Sequence, residues 1–347
     1  MEKVSASSPG RVFLSGEAAF EYGSRVLAIP AEFAGRRTTV NFLFQDSTGV
    51  ITAYSASKMG SMSNAGRVSG DTSLRVSLDS AKKAIESLGY SLDKMDSTFS
   101  MSIDYGIPAS AGGDAATSAA VFAGIYDFFG NKRDALSALQ KSYGNSQEGA
   151  AGEIDAIVVS SGSVLTFKRE FLLDGTITTR QSAVKVNLPA GKVLLYSEPK
   201  HLQPDLSRQI AAGIALANGG VTGAGKVKPA RDMTQNERGR AADAFSEITA
   251  QMTRELSSES PSPEKVASLF EFEHRCLCDA GVVSAETKAA VQSAKTAGAM
   301  AAKSSGYMGG VLALCAEKDA KKVASALEQD YATFPISIAA RGMFSER

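Results

Sequence analysis

The fold depends on Gly106-Ile-Pro-Ala-Ser-Ala-Gly-Gly-Asp-Ala-Ala-Thr-Ser118, a small and glycine-rich stretch. Pro108 restricts the backbone at its start, and the small side chains leave the backbone amides open to a ligand. The stretch lacks the Gly-Lys-Ser/Thr ending of a P-loop and the Gly-x-Gly-x-x-Gly fingerprint of dinucleotide-binding proteins. It therefore predicts either an anion-binding loop of another kind or an ordinary turn before a core helix.

An alanine-rich stretch follows the loop and predicts a buried helix. Its apolar residues recur at helical spacing, at Val121, Phe122, Ile125 and Phe129. Thr117 or Ser118 is the expected N-cap. Because the first amides of a helix are unpaired and lie at the positive end of the helix dipole, a glycine loop that leads into them favours an anion site.

Composition excludes several classes of protein. The 347 residues include 37 Lys and Arg against 37 Asp and Glu, so no net charge attracts nucleic acid or an anionic membrane. Three cysteines and two histidines have no metal-site or disulfide spacing. The first residues lack the apolar core of a signal peptide, and no apolar run approaches the roughly 20 residues of a membrane span. We expect a cytoplasmic protein that binds neither nucleic acid nor membrane, and its oligomeric state, a homodimer included, is open.

Turn and strand signals divide the chain into two parts. Pro189-Ala-Gly191 is the best boundary, because an apolar strand starts just after it. Residues 299–315 predict a glycine turn that runs into a strand, and residues 319–329 predict a closing helix. Asp155 stands between a small-residue turn and an apolar run, where an acid is either a turn or cap residue or a catalyst.

Three stretches resemble the motifs of the GHMP small-molecule kinases, which include galactokinase, homoserine kinase and mevalonate kinase. They are Ser8-Pro-Gly-Arg-Val-Phe-Leu-Ser-Gly-Glu17 with Glu21-Tyr-Gly23, residues 108–120, and residues 302–314. Gly152-Glu-Ile-Asp155 and Glu273-His-Arg275 are most similar to mevalonate kinases. The second motif usually reads Pro-x-x-x-Gly-Leu-Gly-Ser-Ser-Ala-Ala, and alignment on Thr117-Ser118 makes the present loop two residues longer.

The resemblance implies an α/β (α+β) two-domain GHMP kinase fold. A ribosomal-S5-like N-terminal domain that binds ATP would span residues 1–187, and a ferredoxin-like C-terminal domain would span residues 188–347. It also implies ATP and Mg²⁺ as cofactors and a small-molecule alcohol as substrate.

The same resemblance implies the residues of the site. Asp155 would accept or orient the substrate hydroxyl, and Arg11 would balance the charge beside it. The nucleotide would contact Gly112, Gly113, Asp114, Ala115, Ala116, Thr117 and Ser118. The substrate would contact Glu17, Ala18, Tyr22, Ser305, Gly306 and Gly309. Magnesium would be held by Ser118 and by Glu148, because the usual acid of the family falls near Gly144, which has no carboxylate.

The implied function is phosphorylation of a hydroxyl on mevalonate or on a phosphorylated mevalonate, such as mevalonate 3-phosphate, in isoprenoid precursor synthesis. Ala18 replaces the usual histidine of mevalonate kinases, so we expect a substrate that differs from mevalonate where it faces residue 18. Lys200, His201 and Arg208 are either contacts for an additional phosphate or solvated surface groups. Homoserine or sugar kinases, and a non-catalytic relative that binds a metabolite, are the alternatives.

Overall fold

The computed structural model describes residues 2–45, 51–56, 58–63, 67–92, 98–144, 149–172, 174, 176–201, 234–280, 283–306 and 309–347. The chain divides into two compact units. Unit one consists of Met1–Arg11, Pro30–Ser163 and Ile338–Arg347, and unit two consists of Val12–Ile29 and Val164–Ser337. The boundary near residue 188 lies inside unit two, and it stays a prediction of where the two named domains meet.

Both units contain strands and helices, which follow one another in runs along the chain. The strands are β1 (Glu2–Ser8), β2 (Gly10–Ser15), β3 (Arg25–Phe33), β4 (Thr38–Gln45), β5 (Ile51–Ser55), β6 (Lys58–Met62), β7 (Val68–Gly70), β8 (Thr98–Asp104), β9 (Leu165–Phe171), β10 (Ile177–Ala183), β11 (Lys192–Pro199), β12 (Ala301–Ser305), β13 (Gly310–Ala316), β14 (Tyr331–Ile338) and β15 (Phe344–Glu346). The α-helices are α1 (Arg75–Ser87), α2 (Gly113–Phe128), α3 (Ala135–Gly144), α4 (Gly149–Ser161), α5 (Gln235–Leu256), α6 (Pro263–Asp279), α7 (Ala285–Thr296) and α8 (Ala320–Leu327).

Unit one is a seven-stranded sheet covered by helices. Its strand order is β15-β1-β4-β8-β5-β6-β7. Neighbouring strands run antiparallel except for β5 and β8, which are parallel. Alternate residues of β4, such as Val40 and Phe42, are buried against the helices, as the period of two along a strand requires.

Helix α2 is the central helix of unit one, and all of its residues except Asp114 and Phe128 are buried. Small residues make this burial sterically feasible. A Cβ on Gly124 would lie 2.1 Å from Cε2 of Phe42 on β4, so only glycine lets the helix pack this closely on the sheet. The predicted buried helix is confirmed. Its start is Gly113, so the expectation of an N-cap at Thr117 or Ser118 is wrong.

Unit two is built on the second sheet, whose order is β10-β9-β3-β14-β11-β13-β12, with β2 paired to β3. Helices α6 and α7 pack on β12, and α8 packs on β11. Helix α6 begins as its sequence predicts. The Ser262 hydroxyl accepts a hydrogen bond from the Lys265 amide, and Pro263 occupies the first turn, where its missing amide hydrogen is no loss.

Two other expectations from the sequence are wrong. Residues 319–329 do not close the chain, because β14 and β15 follow α8 and β15 pairs with β1. Residues 301–305 form a strand of their own before the glycine turn. No helix in the described ranges is long and apolar enough to span a bilayer.

Candidate active site

An ion pair within unit one joins the two predicted catalytic residues. Nε of Arg11 donates to Oδ1 of Asp155, and Nη2 donates to Oδ2, both at 2.6 Å. The pair is bidentate, the strongest arrangement of these two groups. Only 7% of the Arg11 side chain and 17% of the Asp155 side chain are exposed, so solvent screens the pair little.

The small-residue turn that the sequence predicts directly before Asp155 is a helix in the structure. Asp155 lies in the middle of α4, between Ile154 and Ala156, which are both buried, so it is neither a turn residue nor a helix cap. Arg11 lies near the start of β2. Regular elements therefore hold both partners of the ion pair.

The predicted glycine loop lies against this pair. Gly112 has a φ of +78°, a left-handed conformation that glycine adopts without strain. A Cβ on Gly112 would lie 3.6 Å from Cβ of Arg11 and 3.7 Å from Oδ2 of Asp155. The structure thus brings the start of α2 next to the Arg11–Asp155 pair, as the resemblance implied.

The first turn of α2 offers backbone amides for an anion. The Ala116 amide makes the first helical bond, at 2.9 Å to the Gly112 carbonyl, so the amides of Gly113, Asp114 and Ala115 precede the helical hydrogen-bond ladder. No side chain in the described residues caps this end. The fold therefore leaves a partial positive charge beside Asp155.

Asp114 is the exposed residue of this turn. Its carboxylate makes no hydrogen bond or ion pair to any residue that the structure describes. Partial desolvation by the surrounding protein and repulsion from Asp155 both raise the pKa of Asp114. A nearby cation would relieve that repulsion.

The hydroxyls predicted for the nucleotide and magnesium lie in the second turn of α2. The Thr117 hydroxyl donates to the Gly113 carbonyl at 2.9 Å. The Ser118 hydroxyl, on a residue only 2% exposed, accepts from the Ser80 hydroxyl at 2.8 Å. Both hydroxyls are thus hydrogen-bonded within the protein, and the alignment of this loop with the motif stays a prediction.

Unit two holds the residues predicted to contact substrate. Glu17 and Tyr22 lie in a short 3-10 helix, Glu17–Tyr22, and both are buried. The Gly306 amide donates to Oε1 of Glu17 at 3.0 Å, and the Ser305 hydroxyl donates to the Phe13 carbonyl at 3.2 Å. The ends of the first and third motifs are thus brought together.

The remaining residues predicted to contact substrate are Ala18 and Gly309. Ala18 packs against an apolar cluster of Ala19, Tyr22, Ala242, Phe245, Leu277 and Val283. Burial raises the pKa of Tyr22. Gly309 is buried directly before β13.

The predicted metal ligand Glu148 and the predicted phosphate contact Arg208 lie outside the described residues. The Lys200 ammonium donates to the Glu328 carbonyl at 2.6 Å, while His201 is exposed.

The sequence analysis assigned no role to the charged side chains of Lys303 and Glu273, which form a buried ion pair. Each of them stands at a position where the surrounding pattern predicts an apolar or small residue. Lys303 interrupts the small-residue strand β12, and Glu273 follows Val266 and Phe270 and precedes Leu277 on the apolar face of α6. A charged residue at a core position of a regular pattern indicates a buried charge cluster.

Solved structures share this architecture. The mevalonate kinase of Methanococcus jannaschii matches at 14% identity with a TM-score of 0.67, over 97% of this chain and 98% of that one. The L. major mevalonate kinase in complex with R-mevalonate matches at 14% identity and 0.69, over 97% and 96%. The Lactococcus lactis galactokinase complexed with galactose matches at 17% identity and 0.65, over 99% and 95%. This chain has the GHMP kinase fold.

The GHMP kinase fold accounts for the order of the motifs along the chain, and the ribosomal-S5-like and ferredoxin-like domain names stay predictions. No protein-family model and no curated protein matches the sequence. The enzymes that share the fold act on different alcohols, so the fold by itself assigns none of them to this chain.

Proposed function

We propose that this chain is an ATP-dependent small-molecule kinase that phosphorylates a hydroxyl group. The bidentate Arg11–Asp155 pair beside the glycine-led start of α2 carries the proposal. Phosphoryl transfer needs an oriented hydroxyl and a stabilised phosphate charge rather than extensive covalent chemistry. A fixed carboxylate next to unpaired helix amides supplies both requirements.

Asp155 orients the substrate hydroxyl and accepts its proton. Arg11 fixes both carboxylate oxygens, so the acceptor has one defined orientation and loses little freedom when substrate binds. The amides of Gly113, Asp114 and Ala115 receive the phosphates of ATP, since they lie at the positive end of α2. The loop from Gly112 to Ser118 is therefore the proposed nucleotide site.

The residues present fit a magnesium ion held by Asp114. Mg²⁺ prefers oxygen ligands and binds through one or two carboxylates together with phosphate oxygens and water. The Asp114 carboxylate is exposed, makes no described hydrogen bond, and is repelled by Asp155. Magnesium would neutralise phosphate charge there. The Ser118 hydroxyl is buried and accepts a hydrogen bond from the Ser80 hydroxyl. The roles of Ser118 and Glu148 as magnesium ligands rest on the resemblance alone.

The proposed acceptor is mevalonate or a phosphorylated mevalonate, as the motifs suggest. Ala18 lies against apolar side chains, and the Lys200 ammonium is bound to the Glu328 carbonyl. The apolar side chains of this cluster carry no charge that could bind an additional phosphate. This favours plain mevalonate over its phosphates at this position.

A non-catalytic relative is the second candidate, and one observation favours it. The hydroxyls of Thr117 and Ser118 are both hydrogen-bonded within unit one, and Ala115 and Ala116 supply no hydroxyl in the first turn of α2. Homoserine and sugar kinases remain alternatives within the kinase class. Cytoplasmic location and a homodimer stay predictions from the sequence.

The deciding experiment measures ADP release with MgATP and a panel of alcohols. Mevalonate, mevalonate 3-phosphate, mevalonate 5-phosphate, homoserine and galactose are compared by kcat/KM under identical conditions. We expect turnover with a mevalonate and the highest kcat/KM for the unphosphorylated form. A higher value for a phosphate would place an additional cation site near residue 18. ATP binding without turnover of any alcohol would favour the non-catalytic relative.

A further inference from the structure

Three charged side chains form a buried cluster in unit two. Nζ of Lys303 lies 3.0 Å from Oε2 of Glu273 and 3.7 Å from Oε1 of Glu17. The three residues are 0%, 1% and 3% exposed, respectively. Ions at this depth lose their hydration, and apolar residues of the same volume are often at least as stabilising. Their contribution to stability therefore does not explain their presence.

The cluster keeps its lysine charged. Burial lowers the pKa of Lys303, but Glu17 and Glu273 raise it by more, so the net pKa lies above its ordinary value. Burial raises the pKa of Glu273, and Lys303 opposes that effect. Lys303 is thus a cation shared between two carboxylates that belong to different segments of the chain.

Each carboxylate also holds the amide of a glycine. Oε1 of Glu273 accepts from the Gly16 amide at 2.8 Å, and Oε1 of Glu17 accepts from the Gly306 amide at 3.0 Å. Gly16 ends the first motif with a φ of +88°, and a Cβ there would lie 1.9 Å from the Arg25 carbonyl oxygen. The cluster therefore fixes the backbone at the end of the first motif and at the glycine turn of the third.

The neighbours of Lys303 are held in the same way. The Ser304 amide donates to Nδ1 of His274 at 3.3 Å, and the Ser305 hydroxyl donates to the Phe13 carbonyl. Four consecutive residues, 303–306, thus each make a side-chain or side-chain-to-backbone contact to another segment. The end of β12 and the first residue of the glycine turn are therefore anchored to three other segments, at Glu273–His274, at Phe13 and at Glu17.

We propose, on the basis of the proposed kinase function, that Lys303 is a positioning residue for the backbone at Gly306, where the glycine turn of the third motif begins. Together with Glu273 it holds the Glu17 carboxylate in place, and the Glu17 carboxylate accepts a hydrogen bond from the Gly306 amide. The backbone at Gly306 is then fixed before a ligand binds, so fixing it adds no cost at that step.

Two variants test this without altering Glu17. Lys303→Met removes the cation, and Lys303→Met/Glu273→Leu removes the whole ion pair while leaving the net charge of the cluster unchanged. The single variant leaves two buried carboxylates without their lysine, which could prevent folding. The double variant leaves only the Glu17 carboxylate, so it keeps the test available in that case. The matched control is Lys295→Met/Glu271→Leu, which removes the partly exposed Lys–Glu pair between α7 and α6, 2.6 Å apart.

The first readout does not depend on activity. Hydrogen exchange of the peptide that contains Gly306 is expected to become at least about tenfold faster in both variants and to stay unchanged in the control. The second readout is kinetic, with the best alcohol of the panel. We expect kcat to fall at least about tenfold, with a smaller change in KM for ATP, since a misplaced backbone at Gly306 affects alignment more than binding.

The results separate the inference from the function on which it rests. If the folded double variant keeps wild-type exchange at Gly306, or if it loses only thermal stability and keeps kcat, Lys303 has no positioning role. If the wild-type chain phosphorylates no alcohol, the kinase proposal fails, and the exchange measurement alone decides whether Lys303 holds the backbone at Gly306.

Discussion

At the scale of single residues, Asp155 and Arg11 form a bidentate ion pair, to which we assign the catalytic role. The guanidinium of Arg11 is nearly buried, so its charge depends on Asp155 for compensation. A change at either residue therefore affects both chemistry and stability, and a test of catalysis needs a variant that separates the two.

Replacement of Asp155 by Asn is expected to lower kcat by about 10²-fold or more, because the amide cannot accept the hydroxyl proton. It should also lower the free energy of unfolding, by up to about 3 kcal/mol, since it leaves the Arg11 charge unpaired. Steady-state kinetics and urea unfolding measure the two effects. As a control, Arg11→Leu/Asp155→Leu should recover stability but not kcat. Wild-type turnover in Asp155→Asn would remove this residue from the mechanism.

His274 makes stability depend on pH. Burial, with help from Lys303, Lys295 and Lys288, lowers the pKa of His274 from 6.5 to about 4. Between those values the unfolded chain binds a proton that the folded chain does not, so stability is complete above pH 6.5 and is lost as pH falls toward 4. We expect the free energy of unfolding to drop about 2 kcal/mol more between pH 7 and pH 5 in wild type than in His274→Gln. Equal drops in urea titrations would contradict this.

At the scale of elements, the proposed nucleotide site is the first turn of α2. The amides of this turn would attract phosphate, whereas the Asp114 carboxylate would repel it. The two effects are opposed unless a cation bridges the carboxylate and the phosphates. The strength of ATP binding should therefore depend on magnesium through this one side chain.

Asp114→Asn is expected to tighten ATP binding about fivefold in EDTA, since the repulsion of two like charges about 4 Å apart in water is about 1 kcal/mol. In excess Mg²⁺ the same variant should bind ATP more weakly than wild type, because the metal loses a carboxylate. Calorimetric titration under the two conditions measures both constants. The exposed Asp104→Asn on β8 is the matched control, and an unchanged magnesium gain in Asp114→Asn would place the metal elsewhere.

At the scale of the whole molecule, unit one is completed by the end of the chain. Strand β15 pairs with β1, the Met343 amide donates to the Ser160 carbonyl, and the Met343 side chain packs on the core. The Arg37 guanidinium donates to the carbonyls of Arg341 and Gly342. The last residues are therefore part of the core of a unit that begins with the first strand.

Deletion of residues 342–347 should lower the free energy of unfolding by about 3 kcal/mol, the scale of exposing one or two packed side chains and an edge strand. Deletion of Arg347 alone removes half-exposed ion pairs to Glu2 and Asp127 and should cost no more than about 1 kcal/mol. Urea unfolding of both proteins provides the comparison. Equal stability of the longer deletion and wild type would mean that β15 is not part of the folding unit.

The sequence alone determined the buried helix α2 and the glycine-rich loop before it. Helical spacing of apolar residues predicted the helix, and the run of small residues with glycine predicted the loop. The motifs gave the expectation of the GHMP kinase fold, and the solved structures confirm it. The pairing of Arg11 with Asp155 also followed from the resemblance rather than from spacing.

Only the tertiary structure decided where α2 begins, that Asp155 lies inside a helix, and that Lys303 shares its charge with Glu17 and Glu273. These features depend on contacts between residues far apart in the chain: 144 positions separate Arg11 from Asp155, and 30 separate Glu273 from Lys303. Local propensity reports the preference of a segment in isolation. A run of Gly and Ala is therefore typical of a turn in isolation, and packing against α2 and α3 makes it a helix here.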